Sequence, residues 1–547
     1  MALALPISAR ACIVRARGIA YEQTEDNGQE DNVGRGMGWE SRLGHAGLLL
    51  VLNATASAGS GKLSRDLDVT ALGSQPVDVI VQYATTPGSK HFSKAQGHHA
   101  RLKKHHAFIN AATYSVPADR LANLIAEDED ITYVSPDRPV QASGFPAQFY
   151  AVQADIAQSY GYDGTGITVA VIDSGIGSHP DLSGRVVYSQ DFTGQGTTDD
   201  RYGHGTHVAG IIGGNGYKSG SGCSNCTLSY MGIAPNVKLV NLRVLDSNGM
   251  GTDSAVIAAI QKAISLKSTY NVRIINLSLG RGIYESYTTD PLTQAVEQAW
   301  NAGIFVVVAA GNYGRDNSSN RGGYGTITSP GNDPYVITVG SMRTFGTPDR
   351  SDDVITSYSS KGPTFIDHIV KPDIVAAGNK VVSTLAPNAS LDTNYPSTQI
   401  PVTAYQSSGS GNSQYYFRLS GTSMAAPQVA GAAALMLQKN PALTPDQLKA
   451  RLMKSAYKNL VQYSTSTDAA TLISYSEQTD IFTVGAGYLD TASALNNTDS
   501  ASSSVGVAMS PTAVYDSSGG QVVLVNGSSV LWGGSVIWGS RWCGARR

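Results

Sequence analysis

The sequence is poor in cysteine, in charge and in long apolar runs. Only four cysteines occur among 547 residues, and charged residues make up 15% of the chain. The formal net charge of -3 gives no electrostatic reason to expect a nucleic acid or an anionic membrane as partner. No stretch reaches the roughly 18 apolar residues that a membrane-spanning helix needs. With 41% hydrophobic residues, the composition predicts a folded globular protein of several segments, without an integral membrane segment.

Two of the cysteines, Cys223 and Cys226, stand close together in "GCSNC". A Cys-x-x-Cys pair is compatible with half of a metal site, a redox pair or a local disulfide. Because no second pair has suitable spacing, we do not expect a structural zinc site. A local disulfide and two free thiols remain as the alternatives.

The segment 37–58 has the features of a secretory signal peptide. A charged start with Arg42 is followed by a short apolar run over 46–52 and by the small residues "ASA" at 56–58. We therefore predict a leader over 1–58, with the signal at 37–58, and a secreted, extracellular protein. The alternative is a leader of no consequence.

Residues 77–141 predict a small α+β unit. Strand-like "VDVIVQY" and "ITYVSP" enclose helix-like stretches at 93–109 and 117–128. The composition changes after this unit, so a separate domain is expected to follow it.

Residues 150–496 alternate between apolar, β-branched runs and helix-like stretches. The runs include "ITVAVID", "VKLVNLRVL", "VRIINLSL", "IFVVVAAGN" and "YVITVGS". In the helix-like "DPLTQAVEQAWNAG", Asp290 is the predicted N-cap before Pro291. Continuous apolar strands separated by helices are typical of a parallel sheet covered on both faces. The predicted fold is α/β, with three α/β/α layers and a mostly parallel central sheet.

Two stretches look different from this pattern. Residues 386–417 are rich in Ser, Asn, Thr and Tyr and predict a long surface excursion. Residues 497–547 are rich in Ser, Gly and Trp, with the short repeat "SVLWGG" and "SVIWGS". They predict a low-complexity tail outside the folded core.

Three reactive residues stand where such a sheet places its sites, at strand ends and helix starts. Asp173 ends the strand "VAVID", His204 opens one helix and Ser423 opens another. In a nucleophilic relay, a histidine takes the proton of a serine and a carboxylate holds the imidazole. Pro427 lacks the N–H that would bond to the carbonyl of Ser423, so the first turn can stay distorted. For the serine alone, an N-cap before a kinked core helix would be the simpler interpretation.

The motifs "VAVIDSGI", "GHGTHVAG" and "SGTSMAAPQVAG", in the order Asp, His, Ser, resemble those of the subtilisin family of serine endopeptidases over about 160–495. The resemblance implies Asp173 as the orienting aspartate, His204 as the general base and Ser423 as the nucleophile. His207, three residues after the base, is expected to pack or to form a hydrogen bond on the same helix.

Further motifs resemble the family's oxyanion hole and substrate cleft. "AAGNYG" at 309–314 implies Asn312 as a side-chain donor to the oxyanion, next to the backbone N–H of Ser423. "NLSLG" at 276–280 and "NGMG" at 248–251 resemble the two edges between which an extended peptide lies like an added strand.

The resemblance also implies a set of substrate-binding residues. They are Gly249, Gly251, Ser278, Leu279, Gly280, Ala310, Gly311 and Thr328. Since none of them carries a charge, we expect apolar or aromatic P1 residues to be preferred over Lys or Arg.

Asp181 resembles a calcium ligand of the family. Calcium takes six or more oxygens, usually including carboxylates. The loop after the histidine helix, "GNGYKSGSGCSNCTLSY", contains no carboxylate. We leave open whether structural calcium binds or whether the cysteine pair stabilises this loop instead, and we expect no cofactor for the chemistry itself.

The 77–141 unit resembles the family's inhibitory propeptide in pattern and position. Because the extended stretch at its end can lie in the cleft that holds substrate, we predict self-cleavage between about residues 138 and 146, which leaves the unit bound as an inhibitor. The alternative is a permanent accessory domain that packs on the enzyme. Five of the ten histidines lie in this unit. A pH-dependent release and a solvated helix face are the two interpretations of that cluster.

We expect a monomer that acts on proteins or peptides and binds no nucleic acid. Three competing functions are a catalytically silent scaffold that binds peptides, an adhesion protein acting through its Trp/Gly tail, and a serine hydrolase with a non-peptide substrate. A silent scaffold would lack a member of the relay or the oxyanion asparagine, and none is missing here.

Overall fold

The computed structural model describes residues 61–142 and 160–525, apart from positions 65, 68, 319, 348, 349, 469, 470, 500, 519 and 520. The predicted leader and signal peptide, residues 143–159 and the Trp-containing end of the chain lie outside the described residues. Across the described ranges, no helix is long and apolar enough to cross a membrane.

The N-terminal unit is an antiparallel four-stranded sheet with helices packed on it. Its elements are α1 (Val69–Leu72), β1 (Pro76–Tyr83), α2 (Ser89–Gly97), β2 (Arg101–His106), β3 (Ala111–Pro117), α3 (Leu121–Glu127) and β4 (Ile131–Pro136). The strand order is β2-β3-β1-β4. The folded unit begins before residue 77, because Leu63 pairs with Val134 and Leu67 is buried in the same core.

The helix predicted over 93–109 is wrong in its second half. Helix α2 ends at Gly97, His99 has a φ of 61° that no helix continues through, and residues 101–106 form strand β2. β2 is an edge strand with exposed basic side chains, and charge is a common protection of an exposed strand edge. The Lys and His residues of 101–106 therefore belong to a strand, although their sequence pattern favoured a helix.

The larger domain follows. Its strands are β5 (Pro139–Ala142), β6 (Thr168–Asp173), β7 (Val186–Asp191), β8 (Lys238–Arg243), β9 (Met250–Thr252), β10 (Val272–Leu277), β11 (Leu279–Gly280), β12 (Phe305–Ala309), β13 (Ile337–Arg343), β14 (Val354–Ile355), β15 (Ile374–Ala377), β16 (Val381–Thr384), β17 (Gln399–Pro401), β18 (Asn412–Leu419), β19 (Tyr463–Thr467), β20 (Ser474–Gln478), β21 (Thr512–Asp516) and β22 (Gln521–Val525). Its helices are α4 (His204–Gly213), α5 (Asp253–Tyr270), α6 (Pro291–Asn301), α7 (Ser390–Asn394), α8 (Thr422–Lys439), α9 (Pro445–Ser455) and α10 (Thr491–Asn496).

The central sheet confirms the predicted α/β class. Its order is β14-β13-β12-β10-β6-β8-β7, with β15 also paired to β13, and its pairs are parallel except at β14. Helix α4 packs against α8, and α5 packs against α6, which gives layers on both faces of the sheet. Asp290 caps α6 as predicted, since its side chain accepts a hydrogen bond from the N–H of Leu292 at 2.9 Å.

The surface excursion predicted over 386–417 is only partly a surface feature. Tyr405 and Tyr416 are buried, and they pack with Ile400 and with the half-buried Cys226 and Tyr230. The polar composition of the stretch gave no indication that these aromatic residues are buried. They form a small core of their own between the excursion and the cysteine loop.

The predicted tail does not begin at residue 497. The hairpin β21–β22 packs on the domain, and the N–H of Val370 donates to the carbonyl of Pro511 at 2.8 Å. Ser510 is buried beside two charged groups: Lys449 Nζ donates to its Oγ at 2.9 Å, and its hydroxyl donates to the carboxylate of Asp373. The segment up to residue 525 therefore belongs to the folded domain.

Replacing Ser510 by alanine should lower stability without touching the active site. The change removes hydrogen bonds to two buried charged groups, which is worth about 1.5–3 kcal/mol. The measurement is the free energy of unfolding in urea. Ser503→Ala, at an exposed position of the same segment, is the control and should change little. An unchanged stability in Ser510→Ala would show that the segment does not complete the domain.

Candidate active site

Asp173 and His204 meet at the carboxyl end of the central sheet. Asp173 is the last residue of β6, and His204 is the first residue of α4. His204 Nδ1 lies 2.8 Å from Asp173 Oδ1, and both side chains are buried. A carboxylate can only accept, so Nδ1 carries the proton and the tautomer leaves Nε2 as the basic nitrogen.

Asp200 and Ser174 hold these two residues in place. Asp200 Oδ1 accepts from the N–H of Gly203 at 2.7 Å, so this carboxylate caps the start of α4. Ser174 donates to Asp200 at 2.8 Å and accepts from the N–H of Gly205 at 2.9 Å. Since Ser174 follows Asp173 in the chain, the same bonds fix the end of β6 against the start of the histidine helix. Neither Ser174 nor Asp200 was among the site residues predicted from the sequence.

Ser423 is the second residue of α8, which packs against α4. Its Oγ lies 3.1 Å from the carbonyl oxygen of Ser278. The carbonyl of Ser423 accepts a hydrogen bond from Ser278 Oγ at 2.9 Å. Pro427 lies inside the helix and has no N–H to offer that carbonyl. The proline thus frees a backbone acceptor that ties the helix start to the neighbouring strand end.

Asn312 follows β12 with its amide oriented by the same helix. Its Oδ1 accepts from the N–H of Thr422 at 2.9 Å and from the Thr422 hydroxyl at 3.1 Å. Its Nδ2 is buried without a hydrogen-bond partner. Gly311, at a φ of 103°, makes the turn that places it there. A buried donor left unpaired is costly unless a ligand accepts from it, so Nδ2 marks a place for an anionic oxygen.

The two predicted cleft edges lie on either side of one strand of the chain itself. β5 pairs antiparallel with β11 on one side and with β9 on the other. Ala142 is opposite Leu279, and Val140 is opposite Gly251. The strand therefore points toward Ser278, whose carbonyl contacts Ser423.

Of the predicted substrate-binding residues, Gly280, Ala310 and Gly311 cluster around Thr328. Its N–H donates to the carbonyl of Ala310 at 3.1 Å. A Cβ atom on Gly280 would come within 2.6 Å of Thr328 Oγ1, and one on Gly311 within 2.7 Å of Thr328 Cγ2. The threonine packs flat against both glycines, and this wall carries no charged side chain. Gly249 lies at the other edge, beneath the ring of Tyr202.

His207 is not a second base. Its Nε2 lies 3.0 Å from the carbonyl of Val381, and its ring packs edge-on against Phe417. Burial, with a smaller effect from His204, lowers the pKa of His207 to about 3, so the ring stays neutral. It packs and forms a hydrogen bond, as expected.

Sequence reasoning missed two further residues beside the site. The ring of Tyr202 lies 6.3 Å from that of His204. Arg315, three residues after Asn312, donates to Ser357 at 2.9 Å and forms an ion pair with Asp468 of the β19–β20 hairpin. The aromatic residue in "RYGHGTH" was visible in the sequence. The ion pair joins residues 153 positions apart, so no local pattern could show it.

Asp181 does not fit the role of a calcium ligand. Its Oδ1 accepts from the N–H of Lys218 at 2.8 Å, and its Oδ2 accepts from the Tyr416 hydroxyl at 2.6 Å. Both oxygens are therefore occupied by protein donors, and the side chain is buried. Burial and the Asp181 carboxylate raise the pKa of Tyr416, so the hydroxyl remains a donor. Protein donors therefore contact Asp181 where the resemblance to the subtilisin family implied a calcium ion.

Within the described ranges, one group of three side chains has spacing that could suit a metal, namely His91, Asp128 and Asp130 in the N-terminal unit. His91 Nδ1 accepts from the N–H of Gly88 at 3.1 Å, so its proton is on Nε2 and points at Asp130, 3.0 Å away. This nitrogen has no lone pair for a metal, and Asp181 is not part of the group.

Cys223 and Cys226 form a disulfide, which settles the alternative left open by the sequence. The loop that contains it is tied to the 386–417 excursion. The N–H of Thr227 donates to the carbonyl of Tyr405 at 2.8 Å, and Asn225 donates to the carbonyl of Ser408 at 3.0 Å.

Tyr416→Phe should destabilise the protein, and added calcium should not restore it. Without the hydroxyl, one buried oxygen of Asp181 loses its donor, at a cost of about 1–3 kcal/mol. The melting temperature, measured with and without calcium, reports this. Tyr415→Phe, next to it in β18, is the control. A full rescue of the phenylalanine variant by calcium would mean that Asp181 does accept the ion.

A bonded Asp–His pair and a helix-start serine, on two packed helices at the carboxyl ends of a parallel sheet, match the arrangement of a serine hydrolase. Comparison with known proteins gives the same class. The model of the family described as "Subtilase family" matches residues 164–488. Serine protease AprX of Bacillus subtilis (strain 168) is 37% identical over 366 residues, which are 66% of this chain and 77% of AprX.

Two other proteins agree with this match. Subtilisin DY of Bacillus licheniformis is 36% identical over 307 residues, which are 56% of this chain and 89% of that protein. Fervidolysin from Fervidobacterium pennivorans, a keratinolytic enzyme related to subtilisin, superposes with a TM-score of 0.56 at 21% identity, over 78% of this chain and 61% of that chain. The last match supports the fold alone. The chain belongs to the subtilase family and is a subtilisin-like serine protease.

Proposed function

We propose that the protein is a secreted serine endopeptidase made as a self-processing precursor. The observation that carries the proposal is strand β5, which lies between β9 and β11 and runs toward Ser278 beside the Ser423 hydroxyl. An extended backbone thus occupies the cleft in the way that a peptide substrate adds as a strand. Main-chain pairing of this kind is indifferent to most side chains, so the specificity is broad.

In the proposed reaction, Ser423 Oγ attacks the carbonyl carbon of the scissile peptide bond and passes its proton to His204 Nε2. Asp173 stabilises the imidazolium through the bond to Nδ1. The oxyanion accepts hydrogen bonds from the N–H of Ser423 and from Asn312 Nδ2, the buried donor that has no partner otherwise. Collapse breaks the C–N bond, and His204 protonates the leaving amine.

The resulting acyl-enzyme is then hydrolysed. His204 takes a proton from water, the hydroxide attacks the ester carbonyl, and the same two donors stabilise the second oxyanion. The ester C–O bond breaks, the carboxylate product leaves, and the proton returns to Ser423. No cofactor takes part in these steps.

The N-terminal unit acts as the propeptide in this proposal. It contacts the protease domain beyond the cleft: Gln82 donates to the carbonyl of Thr289 at 2.7 Å, and Asp137 accepts from the N–H of Ser254 at 2.7 Å. Because Ala142 is opposite Leu279, the residue after Ser278, self-cleavage follows Ala142 within the predicted window of 138–146. The later part of that window lies outside the described residues.

Secretion and the monomeric state complete the proposal. A disulfide at Cys223–Cys226 suits an oxidising compartment, which supports the signal peptide predicted at 37–58. The substrates are proteins or peptides, and the chain's own propeptide is the inhibitor.

The test uses the protein purified after expression of the full chain. A serine-directed covalent inhibitor should label Ser423 and stop hydrolysis. In a peptide series that varies only at P1, Phe and Leu should be cleaved at least about 10-fold better than Lys and Arg, since the uncharged wall around Thr328 offers no partner to a buried cation. Strict cleavage after Lys or Arg would contradict the specificity, and activity without labelling of Ser423 would contradict the mechanism.

A further inference from the structure

A buried ion pair joins the cleft strand to the protease domain. Arg138 directly precedes β5, and its Nη1 lies 2.5 Å from Oε1 of Glu285. The two side chains are 3% and 2% exposed. Glu285 belongs to the loop between β11 and α6. The loop after the cleft edge β11 therefore binds the side chain of Arg138, the residue before the cleft strand β5.

The other partners of Arg138 divide between the two parts of the protein. Asp66 accepts from Nε at 3.0 Å and from Nη2 at 2.9 Å, and Ser64 accepts from Nη2 at 2.7 Å. Both belong to the N-terminal unit. On the protease side, the guanidinium carbon lies 5.2 Å from the centre of the Tyr284 ring. Glu285 and Tyr284 therefore stay in the protease domain when, in the proposed function, the N-terminal unit is cleaved off and released.

Among the described residues of the protease domain, no cation forms an ion pair with Glu285. Arg281 is already engaged, since its Nε donates to Asp253 at 2.9 Å and its Nη2 donates to Asp290 at 2.7 Å. In the part of the chain that the structure describes, Arg138 is the cation within ion-pair distance of Glu285. Burial, and then Asp290, raise the pKa of Glu285, so a neighbouring cation is needed to keep it charged.

We propose that Glu285 and Tyr284 form an accessory subsite that selects substrates with a basic residue four positions before the one that pairs with Leu279. The proposal rests on the function proposed above, because it requires a substrate to bind as β5 does. Arginine is preferred over lysine, since its planar guanidinium can lie over the Tyr284 ring while it pairs with the carboxylate.

The experiment compares peptides that span residues 136–146 and differ only at position 138, which is Arg, Lys, Gln or Glu. The wild type should cleave the Arg peptide about 3- to 10-fold better in kcat/KM than the Gln peptide, with Lys between them. The ratio should shrink at high salt, because this pair is more exposed without Asp66 and Ser64.

Variants of the protease then assign the preference to one residue. Glu285→Gln should bring the Arg/Gln ratio close to one, and Glu285→Lys should favour the Glu peptide. Asp499→Asn removes one negative charge at a distant exposed site and should keep the wild-type ratio. Each ratio is internal to one variant, so a loss of yield or folding does not affect it.

The possible failures are distinct. Equal cleavage of all four peptides by the wild type, or an Arg preference that persists in Glu285→Gln, would overturn the subsite while leaving the endopeptidase intact. If none of the peptides is cleaved in a way that requires Ser423, the function proposed above fails as well.

Discussion

Replacing His204 by alanine should remove nearly all peptide hydrolysis. His204 is bound to Asp173 through Nδ1, so it is the imidazole that can accept the serine proton. Loss of the catalytic histidine from subtilisin lowers kcat by about a million-fold, and we expect a similar scale here. The measurement is kcat on a peptide substrate.

His207→Ala is the matched control for this experiment. It removes a buried imidazole from the same helix, together with its bond to the carbonyl of Val381. Its melting temperature should fall while kcat stays close to that of the wild type. Because the proposed function predicts that an inactive variant keeps its N-terminal unit, both variants are first cleaved by a trace of tagged wild-type protein, which is then removed. Equal catalytic losses in two well-folded variants would contradict the assignment.

Ser423→Ala should accumulate as an uncleaved precursor. Under the proposed function, attack on the bond after Ala142 is intramolecular and occurs at a high effective concentration, because β5 lies between the two cleft edges. Mass spectrometry should therefore find a new N-terminus within 143–146 in the wild type and none in the variant.

Ser420→Ala is the control for the processing experiment, since its hydroxyl accepts a bond from the N–H of Lys380 and takes no part in the proposed relay. It should process normally. Two outcomes would contradict self-activation. One is equal trimming of Ser423→Ala in a protease-free host, and the other is a fully active wild type that keeps the unit attached.

Local sequence features predicted much of this molecule. Asp173, His204 and Ser423 stand in motifs whose small residues allow close backbone contacts. These motifs therefore indicate the local packing around the three residues as well as their identity. A Cβ atom on Gly205, for example, would come within 2.2 Å of the Gly175 carbonyl. The alternation of apolar strands with helices likewise predicted the central sheet, because each strand is buried on both faces.

The features that the sequence did not reveal depend on long-range partners. The pair Arg138–Glu285 spans 147 positions, and the bond between Ser510 and Asp373 spans 137. The helix prediction for residues 101–106 was wrong for another reason. Their composition is compatible with a helix, and they form an edge strand because they pair with the neighbouring β3. The hydrogen bond between Asp181 and Tyr416 likewise joins residues 235 positions apart.

The place of Ser510 in the chain has a consequence for the order of synthesis. Lys449 leaves the ribosome 61 residues before the hydroxyl that covers it, and Asp373 is made earlier still. Until that last segment emerges, these charges remain open to water and their corner of the domain cannot close. The N-terminal unit, made first and built on its own small core, can fold while the rest is still being translated. The N-terminal unit can therefore reach its folded state before the corner of the protease domain around Asp373 closes.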